Sequence, residues 1–156
     1  MRLSDILKVQ HIKVPLLAKN KREAIAEMVG LLAEAKEVKD SQMLLSSVLE
    51  REATRTTGIG NGLAIPHGKC MGVEHLVVAI AKPEEPIDFE SIDGKPVDLI
   101  VLLASPPDQT GPHIQALAKI VRLMNMDTFR QAMRDATSPE QILEAVKSQE
   151  EGIAVV

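Results

Sequence analysis

Val97-Asp98-Leu99-Ile100-Val101-Leu102-Leu103-Ala104 carries the reading of the fold. From Leu99 onward neither alternating face is polar, so the segment reads as a strand covered on both sides. Leu76-Val77-Val78-Ala79-Ile80-Ala81 has the same character. Strands of this kind need helices above and below, and the flanking sequence offers them. Upstream, Ile12 to Leu17 is apolar and β-branched, and Pro15 places it at a sheet edge because proline cannot donate to a ladder. Asn20, with Glu23 three residues on, announces a helix whose apolar stripe is Ile25, Met28, Val29 and Leu32. A second helix is expected after Asp40, burying Leu44, Leu45, Val48 and Leu49 and ending near Arg51-Glu52. Between it and the strands, Thr54 to His67 holds three glycines and a proline, so it is a loop or a set of very short strands. Ile92-Asp93-Gly94-Lys95 reads as a turn.

Downstream, Ser105 to Pro112 leads into a helix expected to bury Ile114, Leu117, Val121 and Met124. A short helix around Phe129 to Met133 follows. Ser138-Pro139-Glu140-Gln141 opens the last one with an N-cap and a proline at the first helical position, and the tail from Gln149 is expected to fray. Helices alternating with apolar strands define an α/β fold: a mixed β-sheet sandwiched by helices on both faces, in a single domain over residues 1–156.

The chain of 156 residues carries 18 Lys+Arg against 22 Asp+Glu, a net charge of −4. This balance argues against a nucleic-acid binder, which needs clustered cations to displace counterions from phosphates. With no Trp, no Tyr and two Phe there is also no platform on which bases would stack. Cys70 is the single cysteine, so no intramolecular disulfide forms and a multi-cysteine zinc site is excluded. The N-terminus lacks the apolar core of a signal peptide, and the longest aliphatic run is too short to span a bilayer. A cytoplasmic protein with no direct membrane insertion is expected.

Chemistry concentrates in Gly58-Ile59-Gly60-Asn61-Gly62-Leu63-Ala64-Ile65-Pro66-His67-Gly68-Lys69. Glycines let main-chain N–H groups approach an anion, which makes Gly58, Gly60 and Gly62 candidates for a phosphate-binding loop. Pro66 fixes the backbone just before the His67 imidazole. An imidazole so held can serve as metal ligand, general base or nucleophile, or it can simply sit in a tight turn. The loop has neither the dinucleotide-binding spacing nor a Gly-Lys-Ser/Thr ending. His67-x-x-Cys70 with His113 gives at most a weak metal set, since Cys70 fits a small core position better. His113 follows a Gly-Pro pair near a helix start. Arg51 can bind a phosphoryl group through its planar fork, or pair on the surface with Glu50 or Glu52. His11 and His75 read as surface or satisfied polar residues, and Glu90, Asp93 and Asp98 as structural.

Taken together, Leu49-Glu50-Arg51-Glu52, the stretch Thr56 to Lys69, Pro86-Ile87-Asp88-Phe89, Asp93 to Leu99 and His113 to Ala118 resemble the type-2 IIA domain of the bacterial phosphoenolpyruvate:sugar phosphotransferase system. This is the fructose/mannitol class, and the loop, with Asp108-Gln109-Thr110 before His113, looks closest to its nitrogen-regulatory branch. The resemblance implies a phosphotransferase with a phosphohistidine intermediate. His67 falls on the phosphorylated nucleophile, and His113 and Arg51 on residues that stabilise the phosphoryl group. It implies no cofactor: neither metal nor nucleotide takes part directly. The implied donor is the histidine phosphocarrier HPr or a nitrogen-type paralogue, and the implied acceptor a IIB domain or regulatory target proteins. The chain ends at Val156 without a IIB or membrane segment, so the acceptor is expected on another molecule. Competing readings are a stand-alone IIA subunit for fructose- or mannitol-type sugars, a regulatory binding module that no longer transfers phosphate, and a small metal-dependent hydrolase using His67 and His113.

Overall fold

Side chains on successive residues of a strand point to opposite faces, and the two aliphatic segments use this to hold two cores at once. In a computed structural model, which describes residues 2–155 and the side chains of residues 2–151, they form β5 (Val77–Pro83) and β6 (Leu99–Ser105). These pair antiparallel from Val77↔Ala104 to Ala81↔Ile100. Val77, Ala79 and Ala81 with Ile100, Leu102 and Ala104 enter one core. Val78 and Ile80 with Leu99, Val101 and Leu103 enter the other.

The first core is closed by α1 (Lys21–Glu34) and α2 (Ser41–Thr54), through Ile25, Met28, Val29, Leu32, Leu44 and Val48. Both helices begin at side-chain caps, with Asn20 accepting from the Glu23 N–H and Asp40 from the Met43 N–H. The second core is closed by α3 (Thr110–Met124), α4 (Asp127–Asp135) and α5 (Pro139–Val155). Around the central pair the strand order is β1-β5-β6-β3-β2. Here β1 (Ile12–Leu16) lies parallel to β5 at the edge that Pro15 requires, and β2 (Gly58–Gly60) forms a short antiparallel pair with β3 (Leu63–Ala64). β4 (His67–Lys69) also pairs with β6, so the sheet is mixed and lies between two helical layers, as expected.

One expectation changes. The inward face of α3 is His113, Ala116, Ile120, Leu123 and Met124; Ile114 is 60% exposed, and Leu117 and Val121 are only partly covered. The helix is rotated because His113 is committed to a buried partner on β6 and small Ala116 lets the helix sit close to the sheet. The tail from Gln149 is helical, with α5 continuing to Val155. Glu150 explains the extra turns. Its buried carboxylate accepts from the main-chain N–H groups of Leu3 (2.7 Å) and Ser4 (3.0 Å) and pairs with Lys119 at 3.4 Å.

Candidate functional site

Both β3 and β4 lie along the same side of β6. Leu63 and Ala64 pair with Leu99 and Ile100, and His67 to Lys69 pair with Leu103 to Ser105. Ile65 and Pro66 bridge the two pieces. The Ile65 N–H turns to Thr57 O (3.0 Å), and Pro66 lends its carbonyl to the Leu103 N–H (3.0 Å). A proline has no N–H to give, so the ladder breaks there and resumes at His67. The imidazole thereby emerges at the C-terminal end of β6.

His67 Nδ1 lies 2.9 Å from Ile65 O. A carbonyl can only accept, so the ring hydrogen sits on Nδ1 and Nε2 keeps its lone pair. Burial holds the His67 pKa below the usual histidine value; the Ile65 carbonyl opposes this and the Arg51 charge adds to it. His113, in the first turn of α3, stands edge-on to His67 with ring centroids 5.6 Å apart. It is 4% exposed, and its Nδ1 is 2.7 Å from the Ser105 hydroxyl. Burial, reinforced by the neighbouring His67 ring and the Lys69 charge, pushes its pKa down to about 4. Both rings are therefore neutral at neutral pH.

Arg51, in the last turn of α2, borders the hollows on both sides of His67: one of about 450 Å³ shared with Lys69 and His113, and one of about 260 Å³ shared with Gly58, Ile59 and Ile92. Its Nη1 donates to the Arg55 carbonyl (2.9 Å) beyond the helix end. Among the described residues, the surface pair with Glu50 or Glu52 is not formed. Glu52 is buried and turned away, accepting from the Thr57 N–H (2.8 Å), from the Thr57 hydroxyl and from Lys21 (2.9 Å). It thus ties the end of the Arg51 helix to the start of β2.

The expected phosphate-binding glycines separate. Gly58 borders the His67 hollow, but Gly60 and Gly62 do not. Both have φ in the left-handed region, +102° and +79°, and they flank the β2–β3 turn at the far end of β6. There Gly62 adjoins a hollow of about 20 Å³ beside Lys82 and Arg134, room for one water molecule. A Cβ at Gly62 would lie 2.4 Å from Asp98 Oδ1. The Asn61 N–H is held by Asp93 (3.1 Å) and the Asn61 carbonyl by Arg134 (3.2 Å), so these glycines build a tight turn. The structural reading of Asp93 and Asp98 agrees with this.

Of the remaining histidines, His75 is exposed and bonded to Glu37 (2.8 Å). His11 is buried, so the surface reading fails, and it is only partly satisfied: its Nδ1 accepts from the Lys8 N–H (3.4 Å), while its Nε2 faces the other Glu37 oxygen at 3.5 Å without a hydrogen bond. Cys70 packs in the first core. Three groups at the site were missed in the sequence: Ser105, Glu52 and the Ile65 carbonyl. Ser105 had a visible signal, as the polar residue that ends an unbroken aliphatic strand.

The α/β sandwich thus lodges two imidazoles edge-to-face at a strand end. Residues 5–149 match the family described as phosphoenolpyruvate-dependent sugar phosphotransferase system, EIIA 2, and the chain belongs to that family of phosphoryl-transfer domains. It is 34% identical to a nitrogen regulatory protein of Bradyrhizobium diazoefficiens, over 91% of this chain and 92% of that one. It is 31% identical to the fructose-specific EIIABC component of Bacillus subtilis, covering 94% of this chain but spanning 23% of that protein. The crystal structure of the nitrogen regulatory protein IIA-Ntr from Neisseria meningitidis superposes with a TM-score of 0.85 at 30% identity, over 92% of this chain and 98% of that one. Among the described residues, no helix is long and apolar enough to cross a membrane.

Proposed function

We propose that His67 accepts a phosphoryl group on Nε2 from a histidine phosphocarrier of the HPr type and passes it on, or signals by holding it. The observation that carries this reading is the hydrogen bond from His67 Nδ1 to Ile65 O, which leaves Nε2 as an available lone pair in the cleft. That lone pair attacks phosphorus in line. The new N–P bond forms as the donor's N–P bond breaks, and the donor imidazole leaves with the bonding pair. Nδ1 keeps its hydrogen, so the product ring is cationic, and the Ile65 carbonyl is placed to stabilise that charge. His113 and Arg51 border the same cleft and are the donors available to the phosphoryl oxygens, where charge is spread in the transition state.

The partner face is the apolar rim of the cleft, to which the rotation of α3 adds Ile114. Ile59, Ile92 and Ile114 are 40%, 67% and 60% exposed, and Leu117 and Val121 lie between them, around the imidazole. Such a patch beside a reactive group suits a transient protein partner.

The nitrogen-regulatory reading is supported by the 34% identity to a nitrogen regulatory protein and by the superposition on IIA-Ntr with a TM-score of 0.85 at 30% identity. The test is incubation with phosphoenolpyruvate, the first enzyme of the pathway and either the sugar-type HPr or its nitrogen-type paralogue. The wild type takes up acid-labile, base-stable label, faster from the nitrogen-type carrier, and His67→Ala takes up none. Label retained on the His67→Ala variant overturns the assignment. Faster labelling by sugar-type HPr, followed by discharge to a fructose-type IIB domain, favours the transport reading.

A further inference from the structure

We propose that Ser105 is a positioning residue for phosphoryl transfer: its hydroxyl donates to His113 Nδ1 and so holds the second imidazole in the tautomer that carries its hydrogen on Nε2. The inference rests on the cleft assignment made for His67 and His113.

Ser105 is fully buried at the end of β6, with Oγ 2.7 Å from His113 Nδ1. Two arrangements fit that distance. If Nδ1 donated, the serine hydrogen would need another acceptor, yet among the described residues His113 is the only hydrogen-bond partner of this hydroxyl. A buried polar hydrogen would then be left unpaired, which proteins avoid. If Oγ–H donates, both groups are satisfied and Nε2–H remains as a donor. His113 is neutral at working pH, so it has one ring hydrogen to place and its partner on Nδ1 decides where.

The two rings are thereby set in opposite tautomers by two different oxygens. The Ile65 carbonyl accepts from His67 Nδ1 and frees a lone pair on Nε2. The Ser105 hydroxyl donates to His113 Nδ1 and removes the only free lone pair that ring would have offered. One imidazole is left a nucleophile; its neighbour is left a hydrogen-bond donor that cannot compete for phosphorus. The strand pairing that seats His67 also seats Ser105: Lys69 pairs with Ser105 two residues after His67 pairs with Leu103, and the Cys70 N–H holds the Ser105 carbonyl at 3.1 Å.

The test uses the whole ¹⁵N-labelled protein. Long-range ¹H–¹⁵N spectra at neutral pH are expected to show hydrogen on Nδ1 of His67 and on Nε2 of His113. Ser105→Ala is expected to move His113 toward the other tautomer, leave His67 unchanged and slow single-turnover transfer from labelled carrier by about tenfold or more, as loss of a group that orients a functional imidazole does. Ser105→Thr, which keeps the hydroxyl, is expected to restore the Nε2–H signal and most of the rate. Hydrogen on Nδ1 of His113 in the wild type overturns the proposal, even if no variant folds. A Ser105→Ala protein with the wild-type tautomer and rate overturns it as well. Failure of His67 to take up phosphate would be seen separately, as the absence of an Nε2–P signal, and would overturn the cleft assignment without altering the tautomer measurement.

Discussion

Arg51 and Gly62 bracket the question of which residues at the loop meet the phosphoryl group. Arg51 borders both hollows beside His67, and among the described residues it pairs with neither glutamate next to it in sequence. Lysine keeps the charge but loses the planar fork that binds two oxygens at once. Arg51→Lys is therefore expected to fold with a nearly unchanged melting temperature and to transfer phosphate about tenfold more slowly, equivalent to about 1.4 kcal/mol in the barrier. Single-turnover transfer measured beside a thermal melt decides it, and equal rates would return Arg51 to a surface role. Gly62 is the opposite case. Its φ of +79° and the nearness of Asp98 strain any side chain placed there. Gly62→Ala is expected to lose about 1–3 kcal/mol of stability while the folded fraction transfers at the wild-type rate. A specific loss of transfer with normal stability would instead return Gly62 to the phosphate-binding loop.

At the scale of elements, two junctions hold the site together. One is Glu52, which fastens the end of α2 to the start of β2 through Thr57 and to α1 through Lys21. Glu52→Ala leaves the Thr57 N–H and the Lys21 charge without that partner, and an urea melt is expected to show a loss of about 1–3 kcal/mol. The other is the seat of His113 between α3 and β6. Because burial depresses its pKa from the ordinary 6.5 to about 4, the unfolded chain takes up this proton first as pH falls. Its contribution is complete above pH 6.5 and is lost progressively down to about pH 4, by about 3 kcal/mol. A His113→Gln protein should show a flatter stability profile over that window, and parallel profiles would place the acid sensitivity elsewhere. These junctions also mark the limit of sequence reading. The doubly covered strands, the caps at Asn20, Asp40 and Ser138 and the glycine-proline approach to His67 are local patterns, visible in a few consecutive residues. The Glu52–Lys21, Glu150–Leu3 and His11–Glu37 contacts join positions far apart in the chain, and no local pattern announces them. The face of α3 differs from its sequence pattern for a related reason. Periodicity finds the apolar side of a helix but cannot tell a side turned to the core from a rim kept open around a site.

For the whole molecule, that open rim sets the expected behaviour with partners. Ile114 is exposed and borders the His67 cleft, yet it makes no part of either core. Ile114→Glu should leave the melting temperature unchanged within about 0.5 kcal/mol of stability, as surface changes do. It should raise the carrier concentration needed for half-maximal transfer and leave the rate within the complex nearly intact. An unaltered concentration dependence would remove this rim from the docking face.

The bond from His67 to the Ile65 carbonyl has a consequence for mutational robustness. In the proposed transfer, the choice of nucleophilic nitrogen is delegated to the main chain, which every amino acid supplies in the same form. Exchange of Ile65 for valine or leucine disturbs packing in a fully covered position but leaves the oxygen where it was. Single-residue drift around the loop can therefore weaken the domain, slow it or change its partners, while the identity of the reacting atom stays insulated from such drift. On the Ser105 proposal the second imidazole has no such insulation, since its hydrogen depends on a hydroxyl that one base change can erase.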